Sequence, residues 1–532
     1  MTDADDATRR IGLSRGGLPP VPGTGESRSG SASTTPAADR RPARPRGFAA
    51  TLAWTVANTV VPGTGFLAAG RRRTGLAVLA VFLLLVGGAV WLVTAGRSTA
   101  IDIALDTVQL RWLLAAVITV AVLWALVVVL GYRALLSRPA SGVRHAVGAL
   151  LVAALVAGIA YPAFKVGEVA VAQTGLIDDL FADDRQSATV VDEPDPFGDQ
   201  ERVNVLLLGG DGGAGRDGVR TDTVIVASID TDTGDTVLFS LPRNLENLPF
   251  PEDSPLAEVY PDGFEGETES EGLLNAVYRN GPAAHPDILG PTDDPGADFL
   301  KLGVGEALGL TIDYYVLVNL DGFARLVDAL GGITLNVNYY VPINGITGQE
   351  LPDDYIVPGP HQHMDGWLAL QFARGRYGLT DYDRMARQRC TIDAIIDEAD
   401  PLTLLQSYQE LASATRDIVS TDIPRSALHD FVELGDRVKN GDVTSVVFDD
   451  SVISPAYPDY DQMRLIAYSA LLGPDAPAAP STSAAPESSE PPPPAGEVPS
   501  AQPVNDIAGA CAYDPEQAAA ARAAGEPPSK NG

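Results

Sequence analysis

Cysteine is nearly absent: Cys390 and Cys511 are the two found in 532 residues. That excludes a zinc site built from cysteines and a dense disulfide framework. Positive charge is scarce too, with 37 Lys and Arg against 69 Asp and Glu and a net charge of −32. A phosphate backbone calls for a basic face, so general nucleic-acid binding is excluded, and no helix-turn-helix pattern argues otherwise. No internal repeat is present, and no short hydrophobic stretch near the N-terminus has the form of a cleavable signal peptide.

The shortage of positive charge is uneven. Residues 1–165 carry 17 Lys and Arg against 7 Asp and Glu, a net of +10, while the remainder carries a net of −42. A basic, apolar first third before an acidic remainder reads as a membrane section followed by a translocated domain. Residues 1–46, rich in Pro, Gly, Ser and Arg, are expected to be a disordered cytoplasmic N-terminus. Within a membrane region of 47–166, stretches near 75–95, 112–130 and 146–164 each supply the roughly 20 apolar residues that cross a bilayer. Arg71, Arg72 and Arg73 precede the first, and Arg133, Arg138 and Arg144 separate the second from the third. Both clusters belong on the cytoplasmic side, which sends everything after Lys165 outside. Residues 50–69 are apolar but interrupted by Pro62, Gly63 and Gly65, and read as a re-entrant or interfacial hairpin, with a fourth full span as the alternative.

The outer part reads as an α/β domain over 178–472, with a mixed central sheet covered by helices. Strands are expected at 203–208, 222–229, 236–241, 314–319 and 333–337, with the second and third joined as a hairpin through Asp232-Thr233-Gly234-Asp235. Helices are expected at 299–310, 322–329, 383–398 and 402–415. A linker rich in Pro, Ser and Ala over 473–505 leads to a tail at 506–532.

The chemistry concentrates in a few places. Leu208-Gly209-Gly210-Asp211-Gly212-Gly213 follows a strand, but it lacks dinucleotide-loop spacing and opens no helix. Asp211 at one strand end and Asp222 at the start of the next form a carboxylate pair able to share Mg²⁺ (or Mn²⁺) beside phosphate oxygens. Arg220, Arg243, Arg374 and Arg376 sit near strand and helix ends, and Arg384, Arg387 and Gln388 share one helix face. Guanidiniums match phosphate oxygens through paired donors, and a diphosphate calls for several. His361 and His363 lack a third ligand at metal spacing and read as loop or structural residues.

Taken in order, these blocks resemble the LytR-CpsA-Psr family. They are Val203–Gly209 with Asp211, Arg220-Thr221-Asp222-Thr223, Ser240-Leu241-Pro242-Arg243, Asp313-Tyr314-Tyr315, Gly322-Phe323 with Val327–Ile333, Ala373-Arg374-Gly375-Arg376, and Asp383-Arg384 through Arg387-Gln388. They span about two-fifths of the chain. Asn244 stands where the family often has Asp, and Leu274 where it often has Lys before Asn275-Ala276-Val277-Tyr278. Both variants resemble the actinobacterial type, and Leu274 in place of Lys removes one phosphate-facing cation.

The resemblance implies Mg²⁺-dependent transfer of a glycopolymer from a polyprenyl diphosphate to a peptidoglycan hydroxyl, with release of polyprenyl phosphate at the bilayer surface. Asp211 and Asp222 would hold the ion. Arg220, Arg243, Arg374, Arg376, Arg384 and Arg387 would neutralise the diphosphate, Gln388 would donate a hydrogen bond, and Asp381 or Asp383 would take the acceptor proton. Helices 299–310 and 323–329 are candidates to line an apolar slot for the lipid. Cys390 and Cys511, both placed outside the cell, are expected to pair and pin the tail to the long helix. A polyprenyl-diphosphate hydrolase uses the same residues, and a non-catalytic glycan-binding or regulatory anchor is the alternative from another class. Arabinogalactan, teichoic-acid-like polymers and capsular polysaccharide all fit as the transferred polymer.

Overall fold

The computed structural model describes residues 47–96, 99, 103, 106–136, 141–181, 186–190, 197–198, 200–212, 219–399, 419–472 and 505–531. The expected disordered N-terminus, the expected helix 402–415 and all but the last residue of the expected linker lie outside them.

The first section is helical: α1 (Phe48–Val60), α2 (Thr64–Ala68), α3 (Arg72–Thr94), α4 (Thr107–Leu135) and α5 (Gly142–Leu180). Three segments, Arg72–Leu92, Thr107–Leu135 and Gly142–Val171, are long and apolar enough to cross a membrane. Helix α1 has 13 residues, about 20 Å of rise, which is short of a bilayer's roughly 30 Å hydrocarbon core. The chain breaks after it because buried Asn58 substitutes for helix hydrogen bonds. Its Oδ1 accepts the Gly63 and Gly65 N–H groups at 3.0 and 2.9 Å, and Gly63 adopts φ +102°.

The second section runs β1 (Arg202–Gly210), β2 (Thr221–Asp230), β3 (Thr236–Leu241), α6 (Pro255–Val259), α7 (Leu274–Ala284), α8 (Pro295–Leu308), β4 (Tyr314–Asn319) and α9 (Leu320–Ala329). It continues through β5 (Ile333–Val337), β6 (Val341–Ile343), β7 (Asp354–Ile356), β8 (Gly359–Met364), α10 (Gly366–Arg374) and α11 (Asp381–Glu398). Last come β9 (Val419–Thr421), α12 (Leu428–Asn440), β10 (Val443–Val447), α13 (Tyr460–Leu472), β11 (Asn505–Asp506), α14 (Ile507–Ala510) and α15 (Pro515–Ala524).

Seven strands make one mixed sheet in the order β11-β10-β3-β2-β1-β4-β9. Strands β1 and β4 are parallel, as are β3 and β10, whereas β2 runs against both its neighbours. The C-terminal ends of β1, β3, β4 and β10 therefore share one edge with the start of β2. One face packs Leu206, Val226 and Phe239 against Val277, Leu300 and Met463 of α7, α8 and α13. The other packs Ile225, Ala227 and Leu238 against Ile507 and Ile392, so helices cover both faces. Helix α8 carries its own limits, with Asp294 accepting the Ala297 N–H, Pro295 in its first turn, and Gly309 in the left-handed region after it. Its residues Phe299, Leu300, Val304 and Leu308 are fully buried in the main core, so that face packs the fold rather than presenting an open slot.

A smaller lobe joins the pairs β5–β8 and β6–β7 to α9 and α10, with a core that includes Val327, Ile333, Met364, Phe372 and Ala394. The tail ties lobe and sheet together. Strand β11 pairs with β10, Cys390 and Cys511 form a disulfide, and Lys530 binds Glu350 and Asp353 at 2.8 Å each.

Candidate functional site

The site lies on the shared strand-end edge. Between β1 and β2 the register runs Gly209 opposite Thr223 and Gly210 opposite Thr221, which leaves Asp222 as the extra residue of a β-bulge. A bulge re-aims its side chain and frees backbone groups from the ladder. The Asp222 carbonyl oxygen accepts Arg384 Nη1 at 2.7 Å, and its carboxylate Oδ1 accepts Arg243 Nη1 at 2.7 Å and Asn275 Nδ2 at 3.1 Å. Arg243 is delivered by Pro242 at the end of buried strand β3. Asn275, at the start of α7, is fixed by its N–H to the Arg243 carbonyl at 3.0 Å.

A second carboxylate, Asp381, collects the arginines. Its two oxygens take Arg384 Nε at 3.1 Å and Nη2 at 2.9 Å, a bidentate pair. Arg376 Nη1 lies 3.3 Å and Arg243 Nε 3.6 Å from Asp381 Oδ1. Asp381 opens α11, whose start is set by Thr380 and Asp383 in a capping box. Arg384 is almost fully covered at 5% exposure, while Arg243, Arg376 and Asp381 are 31%, 41% and 28% exposed and open to a ligand.

These contacts set the protonation states. Burial pushes the Asp222 carboxyl up, but the hydrogen bond and charge of Arg243, helped by Asn275 and Arg384, outweigh it and hold the group below its usual value. For Asp381, burial is likewise outweighed by Arg384 first, then Arg243 and Arg376. Both are therefore ionised at neutral pH and are weak bases. Three guanidiniums against two carboxylates leave the cluster net positive, as an anionic ligand demands.

The other sequence-derived candidates fall around this core. Arg220 sits beside Asp211, which accepts the Arg220 N–H at 2.8 Å, and Arg220 Nη1 reaches the Ser270 carbonyl at 3.4 Å. Gln388 donates to Thr223 Oγ1 at 2.8 Å. Arg374 is exposed at the end of α10. Asp383 is engaged by Thr380, whose N–H and hydroxyl donate to its Oδ2 at 2.8 and 2.7 Å, so its part here is to cap α11. Arg387 is buried and faces the lobe. It donates to the Phe372 and Gly375 carbonyls and to Tyr339 Oη, and so holds the Arg374–Arg376 turn. That turn is tight: a Cβ on Gly375 would stand 2.4 Å from the Pro342 oxygen. Leu274 is fully buried in the main core, and Asn244 is exposed. His361 and His363 lie on β8, and among the described residues no group of three or more His, Cys, Asp or Glu is arranged for a metal. Asp211 and Asp222 do supply the one or two carboxylates that Mg²⁺ takes when phosphate oxygens and water complete its shell, so the donor set fits that ion.

Asn275 is the residue that sequence reasoning missed as part of the site. The block Asn275-Ala276-Val277-Tyr278 was the available signal.

Residues 173–454, which include β1–β10, match the LytR_cpsA_psr family. The chain is similar to Biofilm regulatory protein A of Streptococcus mutans, 27% identical over 239 residues covering 44% of this chain and 53% of that protein. It is also similar to the polyisoprenyl-teichoic acid–peptidoglycan teichoic acid transferase TagU of Enterococcus faecalis, 31% identical over 229 residues covering 42% of this chain and 62% of that protein. The chain thus spans somewhat more than half the length of these relatives. Among solved structures it is similar to TagV of B. subtilis, at 22% identity and a TM-score of 0.35, covering 51% of this chain and 95% of that one. With more than half of its residues matched, site included, this chain belongs to the LytR_cpsA_psr family.

Proposed function

We propose that the chain is a membrane-anchored, extracytoplasmic phosphotransferase that moves a glycopolymer from a polyprenyl diphosphate to a peptidoglycan hydroxyl. The observation that carries this is the convergence of Arg243, Arg376 and Arg384 on Asp222 and Asp381 at an open strand-end edge. The names of similar transferases, which act on polyisoprenyl-linked teichoic acid and peptidoglycan, support the reading. The basic flanks of the three apolar helices support an N-terminus inside and a domain outside, beside the leaflet that holds a lipid donor.

In this reading Arg243, Arg376 and Arg384 grip the diphosphate and exchange their bonds to Asp381 for stronger ones to phosphate oxygens. Arg220 and Arg374 add charge at the rim, and Gln388 orients the start of β2 through Thr223. The acceptor oxygen attacks the phosphorus that carries the glycan. The bond from that phosphorus to the bridging oxygen breaks, polyprenyl phosphate leaves, and the acceptor proton passes to a base. Positioning and charge neutralisation do most of the work in such a displacement. Asp211 and Asp222 would hold Mg²⁺, which supplies further neutralisation of the diphosphate when bound.

The test uses the full chain in detergent, a polyprenyl-diphosphate-linked glycan with labelled phosphorus, Mg²⁺ and peptidoglycan. Label on peptidoglycan, with polyprenyl phosphate formed in step, supports transfer. Label released only as soluble glycan phosphate would replace transfer by hydrolysis, and no turnover with intact donor binding would point to a binding anchor.

A further inference from the structure

Asn275 is buried to 4% exposure, and its two amide atoms have opposite fates. Nδ2 donates to Asp222 Oδ1 at 3.1 Å, while Oδ1 is buried with no hydrogen-bond partner. The orientation is chemically forced, because an ionised carboxylate accepts and only the NH₂ end of the amide can face it. The side chain is also held from behind. The Leu274 N–H donates to the Leu245 carbonyl at 2.8 Å and the Asn275 N–H to the Arg243 carbonyl at 3.0 Å, so the main chain that presents the buried amide is fixed at the start of α7. A buried acceptor without a donor loses its hydration and gains nothing in return, and native structures keep such an atom where a bound water, an ion or a ligand completes it.

The missing donor belongs next to Asp222. Hydrogen bonds to the Asp222 carboxylate fall on Oδ1. Mg²⁺ gives up its hydration reluctantly and keeps several waters when one or two carboxylates bind it. Such waters are strong donors. We infer that Asn275 is a positioning residue of the cation site, orienting Asp222 through Nδ2 and receiving an ion-bound water on Oδ1. The inference rests on the cation reading proposed above and adds a residue to it. It also accounts for an amide here: a leucine would leave Asp222 with Arg243 alone, and a carboxylate would face Asp222 with like charge until an ion bridged them.

The experiment is Mn²⁺ binding to the full chain in detergent, followed by electron paramagnetic resonance of free Mn²⁺, with melting temperatures recorded in parallel. Wild type binds, and Asp222→Ala does not. Asn275→Leu raises the Mn²⁺ Kd about tenfold, the effect of one hydrogen bond to a charged group. Asn275→Asp keeps the acceptor oxygen, binds Mn²⁺ within about threefold of wild type, and melts lower than wild type without the ion but level with it once Mn²⁺ is added. A purely structural asparagine would give no such ion-dependent rescue. Unchanged Mn²⁺ affinity in Asn275→Leu, with Asp222→Ala still null, overturns the role of Asn275 and leaves the cation reading standing. No Mn²⁺ binding by wild type, with or without a polyprenyl diphosphate present, overturns both.

Discussion

Asp381→Asn removes one charge and almost no volume from the centre of the arginine cluster. The loss falls first on Arg384, whose bidentate pair at 2.9 and 3.1 Å is formed by a guanidinium only 5% exposed. A charge-assisted hydrogen bond of this kind is worth about 1.5–3 kcal/mol. Arg376 at 3.3 Å and Arg243 at 3.6 Å are considerably more exposed, and each adds about 0.2–1 kcal/mol after solvent screening. The buried carboxylate's own desolvation cost disappears in the variant and offsets part of the sum, leaving a net loss of about 2–3 kcal/mol. For a domain of this size that is a drop of roughly 4–8 °C in Tm. An anion should reverse the effect. In wild type, Asp381 competes with any phosphate for three guanidiniums. In the variant Asp222 still anchors Arg243 and, through its carbonyl, Arg384. Inorganic pyrophosphate should therefore bind the variant several-fold more tightly and restore most of the lost Tm. The assay is intrinsic-fluorescence melting of the full chain in detergent, titrated with pyrophosphate. An unchanged Tm, or a lowered Tm with weaker pyrophosphate binding, would refute the view of Asp381 as a stand-in for phosphate.

Three other outcomes follow from the same contacts. Asp222 and Asp381 have folded pKa values held below the usual 3.8, so the stability they confer is present above about pH 4 and lost as pH falls through the folded values; Tm scans from pH 7 to pH 2.5 should show that loss reduced in Asp381→Asn. Asp393 behaves oppositely, because burial, then Asp397 and Asp506, push it up to about 6. Its ionised form costs stability above about pH 6 and the cost fades as pH falls toward 4, so Asp393→Asn should raise Tm at pH 7.5 and leave it unchanged at pH 4. The Cys390–Cys511 bridge closes a sequence separation of 121 residues, worth about 2–5 kcal/mol; Cys390→Ser with Cys511→Ser should lower Tm by roughly 5–10 °C and expose the tail to protease, and an equal Tm would show that the tail's other contacts suffice.

The parts of this fold legible in the sequence are those where local pattern and tertiary role agree. Strands β1–β4 have runs rich in Val, Ile and Leu, and the turn through Gly234 at φ +83° makes the hairpin explicit. Helices α8 and α11 carry caps that mark their limits. Where burial is supplied by distant neighbours the pattern fails. Strand β8, Gly-Pro-His-Gln-His-Met, looks like a loop until β5 pairs with it, and α7, α12, α13 and β10 owe their place to the sheet they cover or extend. The candidate site divides in the same way. Ordered blocks of Asp and Arg identified its members, but helix spacing could not say what each would face. Arg384 and Arg387 lie one turn apart on α11, yet the first meets Asp222 and Asp381 and the second meets lobe carbonyls. The bulge that turns Asp222 into the site, and the amide of Asn275 behind it, depend on strand register and helix placement that no local spacing encodes.

The most direct test of the arginine cluster as a diphosphate-handling site is the rate at which the full chain, in detergent with Mg²⁺, forms polyprenyl phosphate from a polyprenyl-diphosphate-linked glycan, compared between wild type and Arg243→Ala. Arg243 bridges Asp222 and Asp381 from a partly exposed position. The expected result is a fall in kcat of about 10²-fold or more with Tm within a few degrees of wild type. A variant that stays folded and forms polyprenyl phosphate at the wild-type rate would contradict the account.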